Sequence, residues 1–159
     1  LSKIKGYVIT HGHEDHMGAL PFAFRAGLVA PIYASPFTLK LIEERFRDQG
    51  VNLPVGTLRP YLPGARFRVG RAFEVEGVAV NHSILEAAAL ILRTPDGNLV
   101  HTGDFRVDPQ PFIGKEMDFE PFRRVAEEGV LLLMSDSTNV ARHSDQPSEQ
   151  TVFEGLLPF

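Results

Sequence analysis

The hexapeptide His11-Gly12-His13-Glu14-Asp15-His16 places four good metal-binding side chains, three imidazoles and one aspartate, within six residues. It follows the β-branched and aromatic run 6–10, which is typical of a strand that ends in a loop. Gly12 frees the backbone to bend, so that His11 and His13 can converge on one ion. A solvated polar loop has no need of three imidazoles. The stretch therefore predicts a metal site at the end of a strand.

The composition restricts the ligands that are available. The 159 residues include no cysteine, which excludes a disulfide scaffold, a zinc ribbon, an iron–sulfur centre and a thiol nucleophile. Any metal must therefore be held by histidines and carboxylates. The formal net charge of −4 gives no overall attraction to nucleic acid. No apolar run approaches the roughly 18 residues that a membrane span needs, so we expect no membrane partner.

One hexapeptide cannot surround a zinc ion, so further ligands must come from other strand ends. The candidates are histidines and aspartates at predicted strand-to-loop junctions: His82, His101, Asp104, Asp136 and His143. His82 follows the β run 78–80, and Asp104 follows the strand predicted at 99–102. Strand ends on one edge of a sheet can meet at a single site.

Strands and helices alternate along the rest of the chain. The patterns predict, in order, a strand at 6–10, a short helix at 17–24, a strand at 31–34, a helix from Pro36 towards Gly50, an antiparallel β stretch at 57–81, a hairpin at 88–102 and a helix closed by Gly129. The continuous apolar run Val130–Met134 predicts a strand buried on both faces. A last helix is expected to begin near Ser148. The predicted fold class is α+β.

Four motifs together resemble a known family of hydrolases. They are Thr10-His11-Gly12-His13-Glu14-Asp15-His16, Asn81-His82-Ser83, His101-Thr102-Gly103-Asp104-Phe105 and Ser135-Asp136-Ser137-Thr138-Asn139. In this order they resemble the metallo-β-lactamase-fold nucleases that carry a β-CASP domain, the ribonuclease J family above all. The first motif alone identifies only the superfamily, which also includes thioesterases and lactonases.

The resemblance implies a binuclear centre with zinc, or with Mn²⁺ or Mg²⁺ as alternatives. In that centre His11, His13 and His82 hold one ion, Asp15 and His16 hold the second, and Asp104 bridges both. The implied catalytic residues are Asp15, Asp104 and Asp136. Asp136 is expected to lie beside the metals and to orient a histidine further along the chain.

The resemblance also implies the architecture and the activity. Residues 1–139 are expected to form a partial metallo-β-lactamase αββα sandwich, incomplete at both ends, and 140–159 to begin a truncated β-CASP insertion. The implied activity is hydrolysis of RNA phosphodiesters by a hydroxide shared between two metal ions, in endonuclease and 5′-to-3′ exonuclease modes. Such an enzyme would process and degrade RNA, including ribosomal RNA, in the cytoplasm. We expect a homo-oligomer for the full-length protein and no activity for the isolated chain.

One segment departs from the family pattern. The histidine of the third motif is commonly followed there by Ser-Ile-Pro-Asp-Ser, whereas residues 83–87 read Ser-Ile-Leu-Glu-Ala. The loop after His82 is therefore expected to differ in shape, although the ligand itself is retained.

Several alternatives stay open at this point. The chain could belong to another two-zinc hydrolase that cleaves a thioester or a lactone, or it could be a non-catalytic fragment that holds one zinc ion or none. Glu14 is expected to point outward, His101 to make a structural hydrogen bond, and His143 to lie in a solvated loop. A basic strip could follow an RNA backbone, but we favour the solvent face of an edge hairpin for it: Arg59, Arg66, Arg68 and Arg71.

Overall fold

Two β-sheets lie face to face in the computed structural model, which describes residues 3–141 and 146–157. The first sheet is parallel and contains β1 (Tyr7–Val8), β2 (Ile32–Ala34) and β3 (Leu58–Pro60), in that order. The second contains, in spatial order, β4 (Arg66–Val69), β5 (Phe73–Ala79), β6 (Ala88–Thr94), β7 (Gly97–His101) and β8 (Val130–Met134). Its pairs are antiparallel except for β7 with β8.

Five helices accompany the sheets in the described part of the chain. They are α1 (Glu14–Met17), α2 (Leu20–Arg25), α3 (Pro36–Asp48), α4 (Glu120–Glu128) and α5 (Glu149–Leu156). The longest, α3, begins as its sequence predicts: Ser35 is the N-cap, its hydroxyl accepts a hydrogen bond from the Thr38 amide, and proline follows at the first helical position. None of these helices is both long and apolar enough to cross a lipid bilayer.

Three apolar clusters define four layers. Ile32, Ile42 and Phe46 belong to the cluster between the first sheet and helices α2 and α3. Tyr61, Val75 and Leu90 belong to the cluster between the two sheets. Ile91 and Val125 belong to the cluster between the second sheet and α4. Helix, sheet, sheet and helix therefore follow one another, which confirms the predicted α+β class and the partial αββα sandwich.

Two local predictions were wrong for reasons that the backbone explains. The predicted helix at 17–24 is two short helices, because Pro21 has no amide hydrogen with which to continue α1 and instead stands in the first turn of α2. The segment 58–60 is not part of an antiparallel stretch. It pairs parallel with β2, since the intervening helix α3 carries the chain back to the same end of the sheet.

The strand Val130–Met134 is also not buried on both faces. It is an edge strand of the second sheet, paired only with β7 within the described residues, and its residues are between 39% and 66% exposed. A continuous apolar run predicts a strand correctly, but the position of the strand in the sheet decides whether its faces are covered.

Candidate metal centre

Three loops meet at one edge of the sandwich. The hexapeptide 11–16 follows β1 of the first sheet, whereas His82 and Asp104 follow β5 and β7 of the second. The Ala88 amide donates to the Thr10 carbonyl over 3.0 Å and so ties the two sheets together beside the hexapeptide. The site is therefore assembled from both sheets.

Four of the predicted ligands converge in a first group. One donor atom each from His11, His13, His82 and Asp104 lies within 4.8 Å of all the others. Nδ1 of His13 is 3.1 Å from Nε2 of His82. Oδ2 of Asp104 is 3.8 Å from Nε2 of His11 and 3.7 Å from Nε2 of His82. Three imidazole nitrogens and one carboxylate oxygen thus face a common point.

Asp104 also belongs to a second group, with Asp15 and His16. Nε2 of His16 lies 3.3 Å from Oδ2 of Asp104 and 3.5 Å from Oδ2 of Asp15. Asp104 is therefore the one residue common to the two groups. The structure brings together the two ligand sets that the resemblance implies.

The electrostatics of His11 favour a metal. The residue is fully buried, and its Nδ1 lies 3.0 Å from the Thr10 hydroxyl, while its Nε2 has no hydrogen-bond partner among the described residues. Burial, followed by the positive charges of His16 and His82, lowers the pKa of His11 from 6.5 to about 4. A neutral imidazole with an unpartnered nitrogen beside other donors fits a bound cation, and the set of nitrogen and carboxylate donors suits zinc.

Asp136 lies close to the two groups without belonging to them. Its backbone amide donates to the Thr102 hydroxyl over 2.9 Å, and its Oδ1 accepts a hydrogen bond from the Thr138 amide over 2.8 Å. Hydrogen bonds from the backbone and side chain of Thr138 hold the pKa of Asp136 below its usual range, with a smaller contribution from His82. The loop after β8 is thus fastened to the loop that carries Asp104.

Sequence reasoning missed the part that the two threonines play. Thr10 contacts His11, and Thr102 links the Asp136 loop to the segment that leads into Asp104. The sequence does indicate such a part, because each threonine stands at a strand end, Thr10 directly before a ligand and Thr102 two residues before one. At such a position a hydroxyl group can orient an imidazole or fix a turn.

Gly12 lies against helix α3. A Cβ atom added to Gly12 would lie 2.5 Å from Cδ1 of Leu41 and 3.5 Å from Cδ1 of Ile84. A larger residue at position 12 would therefore force the tip of the Leu41 side chain or the ligand loop to shift.

Two of the remaining residues considered in the sequence, Glu14 and His101, have structural roles. The Glu14 side chain is 60% exposed and its Oε1 lies 2.6 Å from Nη2 of Arg45, so it points outward as expected. Nδ1 of His101 accepts a hydrogen bond from the Gly103 amide, which is the structural bond expected of it. His143 lies outside the described residues.

The basic strip is divided between the two sheets. Arg59 lies on β3, whereas Arg66 and Arg68 lie on β4, the edge strand of the second sheet opposite to β8. Nη2 of Arg66 is 3.0 Å from Oε2 of the buried Glu76, so part of its charge is neutralised. The arrangement agrees with an edge hairpin.

This fold and this cluster define a class of protein, and comparison with known proteins identifies the same class. The chain belongs to the beta-lactamase superfamily: the family described as "Beta-lactamase superfamily domain" matches residues 1–120. A solved structure titled as a protein of unknown function from Enterococcus faecalis V583 has the same fold, with a TM-score of 0.64 and 20% sequence identity, over 98% of this chain and 38% of that one.

Within the superfamily, the chain is similar to proteins named ribonuclease J. It is 45% identical over 155 residues to that of Sinorhizobium meliloti, which covers 96% of this chain and 27% of the relative. It is 39% identical over 158 residues to that of Thermus thermophilus, which covers 97% of this chain and 28% of the relative. The chain therefore spans about a quarter of the length of these relatives. The predicted family resemblance is confirmed.

Proposed function

We propose that this chain is the metal-bearing part of a ribonuclease that hydrolyses RNA phosphodiester bonds. The observation that carries the proposal is the position of Asp104, whose carboxylate is shared by two groups of metal-binding side chains at one edge of the sandwich. A carboxylate can offer one oxygen to each of two cations, which is how two like charges are held close together. The similarity to proteins named ribonuclease J supports RNA as the substrate.

The side chains divide the work as follows. His11, His13, His82 and Asp104 hold one divalent cation, and Asp15 and His16 hold a second together with Asp104. Two bound cations supply Lewis acidity, a nucleophile derived from water near neutral pH, and positive charge for the phosphate in the transition state.

Asp136 acts beside these ligands as a fixed carboxylate. Its hydrogen bonds to Thr138 keep it ionised, and the Thr102 hydroxyl anchors its backbone, so it is suited to orient a neighbouring histidine or water.

The proposal is tested in the full-length protein with single substitutions. His11→Ala or Asp104→Ala is expected to abolish cleavage of a labelled RNA while RNA binding, measured by gel shift, largely survives. Glu14→Ala is the matched control, since Glu14 lies within the same hexapeptide but points away from the cluster. Undiminished cleavage by either ligand variant would refute the assignment.

The same preparations distinguish the substrate classes. Parallel assays with RNA, a thioester and a lactone are expected to show hydrolysis of RNA alone. Hydrolysis of the thioester or the lactone, with RNA left intact, would place the chain among the other hydrolases of the superfamily.

The number of bound metals tests the ligand sets in the 159-residue chain. We expect one zinc ion to bind tightly to the four-residue group and the three-residue group to bind more weakly, because zinc prefers at least four donors. Elemental analysis after gel filtration measures the stoichiometry. Two zinc ions retained per chain would contradict the expected difference between the two groups.

For the whole protein we extend the proposal in line with the family resemblance. It is a cytoplasmic homo-oligomer that cuts RNA in endonuclease and 5′-to-3′ exonuclease modes during RNA processing and decay, including that of ribosomal RNA. Residues 1–139 form its metallo-β-lactamase region, and 140–159 begin the β-CASP insertion.

A further inference from the structure

Asp108 is a buried carboxylate that the proposed chemistry does not use. Its side chain is fully shielded from solvent, yet it carries three polar contacts. Oδ1 accepts a hydrogen bond from the Gln110 amide, and Oδ2 accepts one from the Glu149 amide, each over 2.9 Å. Nη2 of Arg106 lies 3.3 Å from Oδ2. A buried charge of this kind is stable only while its donors stay in place.

One of those contacts, together with contacts of Phe112, fastens helix α5 to the segment that follows Asp104. Glu149 is the first residue of α5, so Asp108 accepts from a backbone amide at the start of that helix. The Phe112 amide donates to Oε2 of Glu149 over 3.0 Å, and the rings of Phe112 and Phe153 lie 4.4 Å apart. We call residues 105–112 the docking loop. Helix α5 is held on it by polar and aromatic contacts together.

The docking loop is tied equally closely to the metal ligands. It begins directly after Asp104, and the Arg106 amide donates to the Asn81 carbonyl over 2.8 Å, which forms an isolated antiparallel bridge. Asn81 is the residue before His82. Arg106 thus joins the backbones beside two ligands, while its guanidinium contacts Asp108.

We propose that Asp108 is a positioning residue that couples the docking of α5 to the arrangement of His82 and Asp104. The inference rests on the proposed function, because it treats those two residues as metal ligands. Docked α5 holds Asp108 and Arg106 in place, and the Arg106 bridge keeps the two ligand loops in register. Coupling between sites is reciprocal, so a cation bound at the ligands must also stabilise the docked helix.

The test uses the chain with zinc as the probe. Zinc affinity is measured by competition with a chromophoric chelator, and amide hydrogen exchange of residues 149–156 is measured with and without zinc. In the unmodified chain zinc is expected to slow that exchange. Asp108→Asn replaces one of two hydrogen-bond-accepting oxygens with an NH₂ group, which cannot accept a hydrogen bond from a backbone amide. We expect this variant to bind zinc at least five-fold more weakly, and we expect its exchange at 149–156 not to depend on zinc.

Asp118→Asn is the matched control. Asp118 is exposed, and its Oδ1 accepts a hydrogen bond from the Glu120 amide two residues on, as Oδ1 of Asp108 does from the Gln110 amide. Unlike Asp108, it forms no hydrogen bond or ion pair with α5 among the described residues. It should leave both measurements unchanged. Phe153→Ala, which removes the ring contact between α5 and Phe112 but changes no residue of the docking loop, should also weaken zinc binding. It serves as the test if Asp108→Asn fails to fold.

The possible outcomes separate the two proposals. The coupling would be overturned if the unmodified chain bound zinc with no effect on exchange at 149–156. It would also be overturned if folded Asp108→Asn or Phe153→Ala kept the zinc affinity of the unmodified chain. Asp108 would then be a purely structural residue. Failure of the unmodified chain to bind zinc at all would instead refute the proposed metal centre.

Discussion

Acidification of the metal-free chain should destabilise it through His11 in particular. Burial and the charges of His16 and His82 lower the pKa of this side chain from 6.5 to about 4. Below pH 6.5 the unfolded chain takes up a proton at His11 and the folded chain does not, so stability falls as the pH falls, until the folded form is also protonated near pH 4. Above pH 6.5 both states are neutral and His11 adds no pH dependence.

The size of the effect follows from the same two values. A difference of one pKa unit corresponds to about 1.4 kcal/mol, so His11 should remove roughly 3 kcal/mol of unfolding free energy between pH 7 and pH 4. That is a large share of the stability of a small domain, which is typically about 5–15 kcal/mol.

The assay is urea denaturation followed by circular dichroism at several pH values, for the unmodified chain and for His11→Gln. Carboxylates titrate in both proteins, so the difference between the two curves isolates His11. We expect that difference to grow by about 3 kcal/mol from pH 7 to pH 4 in the absence of metal. Curves that stay parallel to within about 1 kcal/mol would refute the argument that His11 is held neutral by its surroundings.

Three further predictions concern packing and charge. Glu76→Gln should cost about 2 kcal/mol in urea denaturation, because the buried carboxylate contacts Arg residues from β4, β6 and α4. Glu74→Gln should cost under about 0.5 kcal/mol, because the Glu74 side chain is 36% exposed and lies 3.7 Å from Arg66. Gly12→Ala should reduce zinc affinity, because the added methyl group and the tip of Leu41 must move apart, whereas Gly12→Ala combined with Leu41→Ala, which removes the contacting methyl group, should reduce it less. Leu131→Lys should reduce any self-association seen by sedimentation velocity, because this exposed leucine lies on an apolar edge strand. The first prediction would be contradicted by equal losses of unfolding free energy in the two glutamate variants. The second would be contradicted by equal zinc affinities of Gly12→Ala with and without Leu41→Ala, and the third by stronger self-association of Leu131→Lys.

Much of the site was predictable because its chemistry is local. The hexapeptide 11–16 concentrates ligands in consecutive positions, and the start of α3 is set by Ser35 and Pro36, whose capping and fixed φ act within one turn. The hairpin between β6 and β7 follows in the same way from the turn around Asp96 and Gly97. Such signals need no knowledge of distant contacts.

Sheet membership and burial were not predictable in this way. Residues 58–60 share a period-two pattern with their neighbours, yet β3 joins the first sheet because α3 returns the chain there. The apolar run Val130–Met134 forms a strand as expected, but only its place at the edge of the second sheet leaves it exposed. Alternation and hydrophobicity predict that a strand forms and do not determine its partner.

The sequence by itself determined which side chains could bind a metal, since the ligands are histidines and aspartates at strand ends and no cysteine competes with them. The tertiary structure decided that His13 and His82, which are 69 residues apart, bring their ring nitrogens to within 3.1 Å. It also decided that Asp104 is shared between two groups and that Asp108 is buried under α5. The physical reason is that these contacts depend on how two sheets pack and in which register their loops meet, and that is a property of the whole core.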